Sequence, residues 1–303
     1  MESYDVVIIG AGPAGLSAAI YTLRGNLSTL ILEEDTPGGK VVRTSEITNW
    51  PGLSSVEGST LAYNMFEQVL GLNGVYKYGK VLKIENKGNY KIVTTDDSKY
   101  KAKAVIIATG TIFRKLGLEF EDKFYGNGIS YCAVCDAKLY QGKTVAVVGG
   151  GNSAVKEALY LSNFASEVIL IHRHDEFTAD EILIDKMIKT SNIRCYTPYE
   201  VEKLHGGDYL DGISIISKEL NDRLYLSVSG MFPFIGSKPA TDFVKEYDIL
   251  DEKGYVIVNK HMETKVSNLY AVGDVIQKEL RQIVTACSDG AIAGQHIVEN
   301  LKI

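Results

Sequence analysis

Residues 4–25 read YDVVIIGAGPAGLSAAIYTLRG. The apolar run 4–10 has the length and continuity of a strand buried on both faces of a parallel sheet. It enters Gly10-Ala-Gly12-Pro13-Ala14-Gly15 and then a helical run, so strand, GxGxxG and helix follow in the order of a dinucleotide cradle. The first glycine makes the tight turn, the second admits a pyrophosphate to the backbone, and the third lets helix pack on strand. The helix N-terminus then faces negative phosphates. The next strand, STLILE, ends at Glu33. A carboxylate about 20 residues past the first glycine can accept from a ribose 2'-OH. A glycine-rich turn that merely packs tightly is the bland alternative.

The pattern recurs. TVAVVG, 144–149, is a second apolar strand. It leads into GGGNSAVKEALYL, in which Gly149, Gly151 and Ala154 form a GxGxxA variant, with Asn152 and Ser153 opening the helix. EVILIH ends at His172, followed by Arg173 and His174. Arginine at this position favours a 2'-phosphate over a free hydroxyl. The second site therefore reads as taking NADPH rather than NADH, with a solvated charge cluster, HRHDE, as the alternative.

The segment 79–110 carries a hairpin signal in NKGN and YKIVTT, then a returning buried strand in AVIIATG, 104–110. A second hairpin region covers roughly 200–230. VSNLYAVGDV, 266–275, reads as a strand ending in Gly-Asp, and 279–303 as a helix burying Ile283, Ala286, Ala291, Ile292 and Ile297. The expected fold is α/β. It has two Rossmann-like, three-layer nucleotide-binding domains, the second inserted into the first. The first takes residues 1–113 and 246–303, the second 114–245, joined by a two-strand hinge.

The charge balance, 38 acids against 32 lysines and arginines, gives no reason to expect nucleic acid or an anionic membrane as partner. No apolar run is long enough for a membrane helix, and no basic leader precedes an apolar segment, so the chain reads as cytoplasmic. The four cysteines are too few for a disulfide framework. Two of them form YCAVCD, 131–136, a pair that either binds metal or cycles between dithiol and disulfide. Zinc usually needs four ligands, and no second pair exists, so no metal is expected. Cys195 and Cys287 read as buried fillers.

On GAGPAG, PGG at 37–39, TNWPG at 48–52, ATG at 108–110, YCAVCD, GGGNSA, GDV at 273–275 and RQIVTA at 281–286, the whole chain resembles the low-molecular-weight, bacterial-type thioredoxin reductases, a family of flavoprotein disulfide reductases. The resemblance implies FAD on the first cradle, held by Gly10, Gly12, Pro13, Ala14, Gly15 and Glu33. Gly38, Gly39, Lys40, Asn49 and Gly110 would lie toward the flavin, and Gly273, Asp274, Arg281, Gln282 and Ile283 at its ribityl chain and ring. It implies NADPH or NADH on Gly149, Gly151, Asn152, Ser153, Ala154, His172, Arg173 and His174. Cys135 would face the flavin, Cys132 would attack the partner disulfide, and Asp136 would protonate the leaving thiolate. Thioredoxin or a similar redoxin is the implied partner, and a homodimer the implied assembly. Rotation of the inserted domain about its two linkers would alternate dithiol and nicotinamide at the flavin.

Three positions depart from the family. HRHDEFT, 172–178, lacks two of the three arginines that meet the 2'-phosphate. NADH or reduced ferredoxin is therefore an alternative donor. Lys40 replaces the usual glutamine, where a cation could raise the flavin potential or simply be solvated. Asn127 replaces an arginine that contacts thioredoxin. A related flavin-dependent NAD(P)H oxidoreductase, and a redox-responsive binding protein, are the remaining alternatives; the first would lack the cysteine pair.

Overall fold

The computed structural model describes residues 1–301 other than Ser45, Glu46 and Thr48, and of Arg43, Val134 and Cys135 it describes the backbone. The chain divides into two units: 1–112 with 238–303, and 113–237.

The first unit is built on β1 (Glu2–Ile9), β2 (Thr29–Glu33), β3 (Val75–Tyr78), β4 (Val81–Asn86), β5 (Lys91–Thr95), β6 (Lys99–Ile107) and β16 (Leu269–Ala271). The path runs β3-β2-β1-β6-β5-β4. β3, β2, β1 and β6 are parallel, and β5 and β4 continue antiparallel. The far edge of β6 is shared. Its first half pairs with β5, and residues 105–107 pair with β16, which arrives from the end of the chain. Side chains alternate between two cores, as a strand buried on both faces requires. Val6, Ile8, Ala104 and Ile106 meet one core, and Val7, Ile9, Val105 and Ile107 the other.

The helices of this unit are α1 (Pro13–Arg24), α2 (Gly58–Gly71) and α7 (Ile283–Leu301). Proline at the first turn of α1 costs nothing, because that N–H would lack a partner anyway. α7 buries Ala286, Asp289, Gly290, Ala293, Gly294 and Ile297, a three–four spacing that fixes one face. This corrects the expected set: Ala291 is only half-buried and Ile292 is 38% exposed. The reason is backbone proximity. A Cβ at Gly290 would come within 2.1 Å of the Ala14 carbonyl oxygen, and one at Gly294 within 2.8 Å of that of Ala18. The small residues, rather than the branched ones, seat α7 on α1.

The second unit repeats the plan. β8 (Thr144–Val148), β9 (Glu167–Ile171), β10 (Ile193–Tyr196) and β14 (Gly230–Pro233) form a parallel sheet ordered β10-β9-β8-β14. Val145, Val147, Val168 and Leu170 share a core with helices α4 (Ala133–Asp136), α5 (Asn152–Leu161) and α6 (Glu181–Ile188). Ala146, Val148, Ile169 and Ile171 face a core shared with α3 (Glu121–Phe124) and the antiparallel meander β11 (Glu200–Gly206), β12 (Leu210–Ser217) and β13 (Asp222–Ser227). The two chain crossings, β7 (Thr111–Phe113) and β15 (Ser237–Pro239), pair with each other.

Two sequence expectations need adjusting. The return crossing lies at 237/238, ahead of 245/246. Val244 is fully buried in the first unit's core, so the segment after β15 already belongs there. The strand expected over 266–275 is short, because Gly273, at φ +77°, turns the chain into a 3-10 turn over Gly273–Val275.

Candidate active site

Both cradles lie at the C-terminal ends of parallel strands, where open α/β sheets bind ligands. In the first, the three glycines separate by role. A Cβ at Gly10 would reach 2.4 Å from the Ala108 oxygen, and one at Gly15 would reach 2.0 Å from the Gly10 oxygen. Neither position has room. At Gly12 a Cβ would meet nothing within 4 Å, so the middle glycine borders open space that a pyrophosphate can fill. Glu33 Oε2 accepts the Ala11 N–H at 2.8 Å, and Oε1 accepts the Asp35 N–H at 2.9 Å. The carboxylate is thereby fixed beside the glycine turn with lone pairs to spare for a sugar hydroxyl.

Distant segments converge on this turn. The Gly38 N–H donates to the Ala11 oxygen at 2.8 Å. Gly39, at φ +58°, places its would-be Cβ 3.5 Å from the Gly12 Cα. A Cβ on Gly273 would lie 2.7 Å from that of Ala14. The Gly273 N–H donates to buried Asp289 at 3.0 Å, and Asp289 also accepts from Lys278. Asn49 Nδ2 donates to Gln282 Oε1 at 2.9 Å, just before α7 opens at Ile283. Arg281 donates to the carbonyls of Asp274 and Ile276 and lies 4.3 Å over the Tyr255 ring. Lys40 Nζ donates to Thr111 Oγ1 at 2.5 Å, just beyond Gly110. Although Lys40 is exposed along its length, crowding of its ammonium pushes its pKa down; Asp274 opposes this and Arg281 adds to it. Tyr255, Thr111 and Asp289 were not anticipated. Only Asp289 left a trace in the sequence, as a lone acid within the small-residue stripe of α7.

The second cradle has the same division of labour. A Cβ at Gly149 would lie 2.4 Å from the Phe234 oxygen and 2.9 Å from the Ala154 Cβ, whereas one at Gly151 would meet only Thr178 Oγ1, at 3.7 Å. Gly150 is pressed on the His172 ring, 2.4 Å from its would-be Cβ. Asn152 exchanges two hydrogen bonds with Asp180, at 3.0 and 2.7 Å. Ser153 is exposed on the first turn of α5, next to buried Ala154. His172 is buried and stacks on Phe177 at 5.5 Å; desolvation, helped by His174 and Arg173, pushes its pKa down.

Cys132 belongs to this same unit and is disulfide-bonded; the Cys135 side chain lies outside the described residues. The turn is firmly seated. Ala133 and Ala137 are buried in the core that holds Ala154 and Val155 of α5. The Cys132 N–H donates to Ser130 Oγ at 3.0 Å, and the Asp136 N–H donates to the Cys132 oxygen at 3.2 Å. Tyr131 stacks on Phe113 and donates to buried Glu121 at 2.8 Å; burial and that carboxylate push its phenol well up. Glu121 also accepts the N–H groups of Leu116, Gly117 and Leu118. The other two cysteines are free. Cys287 is half-buried, and burial pushes its thiol to about 11. Cys195 is exposed on its strand, against the expectation of a buried filler. β10 is an edge strand; the Cys195 sulfur still reaches Met187 Sδ at 3.9 Å, and burial pushes its thiol up.

A family model described as pyridine nucleotide-disulphide oxidoreductase matches residues 4–290. The chain belongs to that family. It is 41% identical over 303 residues to a thioredoxin reductase of Bacillus subtilis, covering 99% of this chain and 96% of the relative. To a thioredoxin reductase of Mycoplasma genitalium it is 42% identical, with 96% and 93% covered. Among solved structures, the thioredoxin reductase of Lactococcus lactis aligns with a TM-score of 0.90 at 39% identity, covering 99% of this chain and all of that one. The likeness is full-length, as the resemblance in the sequence implied. Among the described residues, no helix is long and apolar enough to cross a membrane.

Proposed function

We propose that the chain reduces the disulfide of a thioredoxin or similar redoxin with electrons from NAD(P)H, using FAD and the Cys132/Cys135 pair. The observation that carries this reading is the association, within one unit, of disulfide-bonded Cys132 with a glycine cradle that has room at Gly151. A second cradle occupies the other unit. The full-length likeness to thioredoxin reductases favours this reading over a ferredoxin-fed variant, a cysteine-free oxidoreductase or a redox-responsive binder.

FAD fits the first cradle. Gly12 leaves space for its pyrophosphate, Glu33 offers an acceptor for its ribose, and Gly39, Lys40, Asn49, Gly273, Asp274, Arg281 and Gln282 would hold the rest of it. When bound, it supplies the conversion of a hydride into a pair of electrons for a disulfide. The chain's residues do the rest. Gly149, Gly151, Asn152 and Ser153 bind and orient the nicotinamide nucleotide. In the reduced pair, Cys132 as thiolate attacks one partner sulfur, and the other partner sulfur leaves as a thiolate that takes a proton from Asp136. Cys135 then gives up its thiol proton and attacks Cys132; the second partner sulfur leaves, takes up that proton, and the enzyme disulfide is restored. Two electrons and two protons pass to the partner. The assembly is read as a homodimer and the compartment as the cytoplasm.

The test is an anaerobic titration of purified protein followed at the flavin absorbance band, with NADPH and NADH in parallel and dithionite as control. Stoichiometric bleaching by a nucleotide, then recovery of colour on adding an oxidised thioredoxin, is expected. Bleaching by dithionite alone would sink the nicotinamide reading.

A further inference from the structure

The ribose end of the second cradle departs from what a 2'-phosphate site needs. Arg173 is exposed, and its Nε–H donates to His174 Nε2 at 3.1 Å. The His174 ring nitrogen thereby occupies one edge of the guanidinium. Thr178 is engaged within the cradle: its N–H and its hydroxyl both donate to the Gly150 oxygen, at 2.8 and 3.3 Å. His172 is buried in packing against Gly150 and Phe177. Residues 172–180, HRHDEFTAD, thus hold one permanent cation, Arg173, against three carboxylates, Asp175, Glu176 and Asp180. Asp180 is held in place by Asn152 at the opening of α5.

A 2'-phosphate adds nearly two negative charges and wants a full guanidinium fork, preferably with a second cation. A 2'-hydroxyl needs only a hydrogen-bond partner. Net negative charge around one half-engaged arginine offers the phosphate little advantage.

We propose that this site accepts NADH and NADPH with comparable affinity, and that His174 is the residue setting their ratio. The proposal rests on the nucleotide-site reading above and names its specificity.

The test is calorimetric binding of NAD+ and NADP+ to the flavin-loaded enzyme, oxidised forms being used so that no hydride moves. Wild-type constants lie within about tenfold of each other. His174→Arg frees Arg173 and adds a second fork. It tightens NADP+ relative to NAD+ by about tenfold or more, as expected for a charge-assisted contact. Thr178→Arg acts in the same direction and guards against a misfolded first variant; an unchanged flavin spectrum reports integrity in both. Wild-type preference for NADP+ above about a hundredfold, unmoved by either variant, would overturn the proposal while leaving the nucleotide site in place. Binding of neither nucleotide would overturn the site reading, and the proposal with it.

Discussion

The two glycine cradles share a design and differ in how they are completed. In the first unit the turn over Gly10–Gly15 is enclosed by residues from far along the chain. Gly38 bonds to Ala11, Gly273 abuts Ala14, and α7 presses on α1 through Gly290. In the second unit the cradle is finished mainly by nearby sequence, Gly150 on His172, Thr178 on Gly150 and Asn152 on Asp180, with Phe234 a distant wall against Gly149. A cradle closed by many segments suits a group that stays. One closed mainly by nearby sequence suits a ligand that comes and goes each turnover. The sequence separation of the walls is thus a physical difference between the two cradles that accords with the proposed resident flavin and exchanging nucleotide.

The largest effect separates the units outright. Cys132→Ser removes thiol production from a protein disulfide, while NADPH or NADH still bleaches the flavin. Loss of both activities together would mean that Cys132 also supports a cradle. Next comes the first unit's own support. Asp289→Ala strands Lys278 and the Gly273 N–H, and removing one partner of a buried pair costs about 3–5 kcal/mol. Chemical denaturation, read alongside flavin release, should show the two failing together.

Glycine substitutions sharpen the contrast. Gly12→Ala and Gly151→Ala each add a methyl where there is room, and both backbones are ordinary for alanine. Stability should stay within about 0.5 kcal/mol of the parent. The first variant should purify short of flavin, the second fully yellow but weak for nucleotide. Gly290→Ala should instead cost about 1–3 kcal/mol by forcing α7 off α1, and melting curves distinguish the cases.

The smallest effect concerns Glu157 on α5, whose Oε2 is buried without a partner. Burial pushes its carboxyl up, so the folded chain keeps that proton to higher pH than the unfolded chain does. Stability then declines as pH rises from the ordinary glutamate range through the raised value. Glu157→Gln should melt above the parent in neutral buffer, with the gap closing in acid. A gap independent of pH would reject this account.

Much of this was legible because parallel strands and glycine turns are local signals. Both cradles, the cysteine turn and the inserted arrangement follow from runs of a few residues. The misreadings arose where distant backbone decides. α7 has two apolar rows to choose from, and the carbonyls of Ala14 and Ala18 admit only the glycine row. Thr111 under Lys40 and Tyr255 under Arg281 come from segments with no pattern of their own. Cys195 reads as core by residue type alone, yet the residue is exposed on a strand at the sheet edge.

The shared edge of β6 bears on the order of synthesis. β5 can take its half as soon as residues 91–107 have emerged, but β16 and α7 are made last. Domains fold as units while the chain lengthens. The inserted unit, continuous from 113 to 237, can therefore close while the first glycine turn, made before it, still waits for the segments that complete it. Cofactor capture then has to wait until β16 and α7 have emerged.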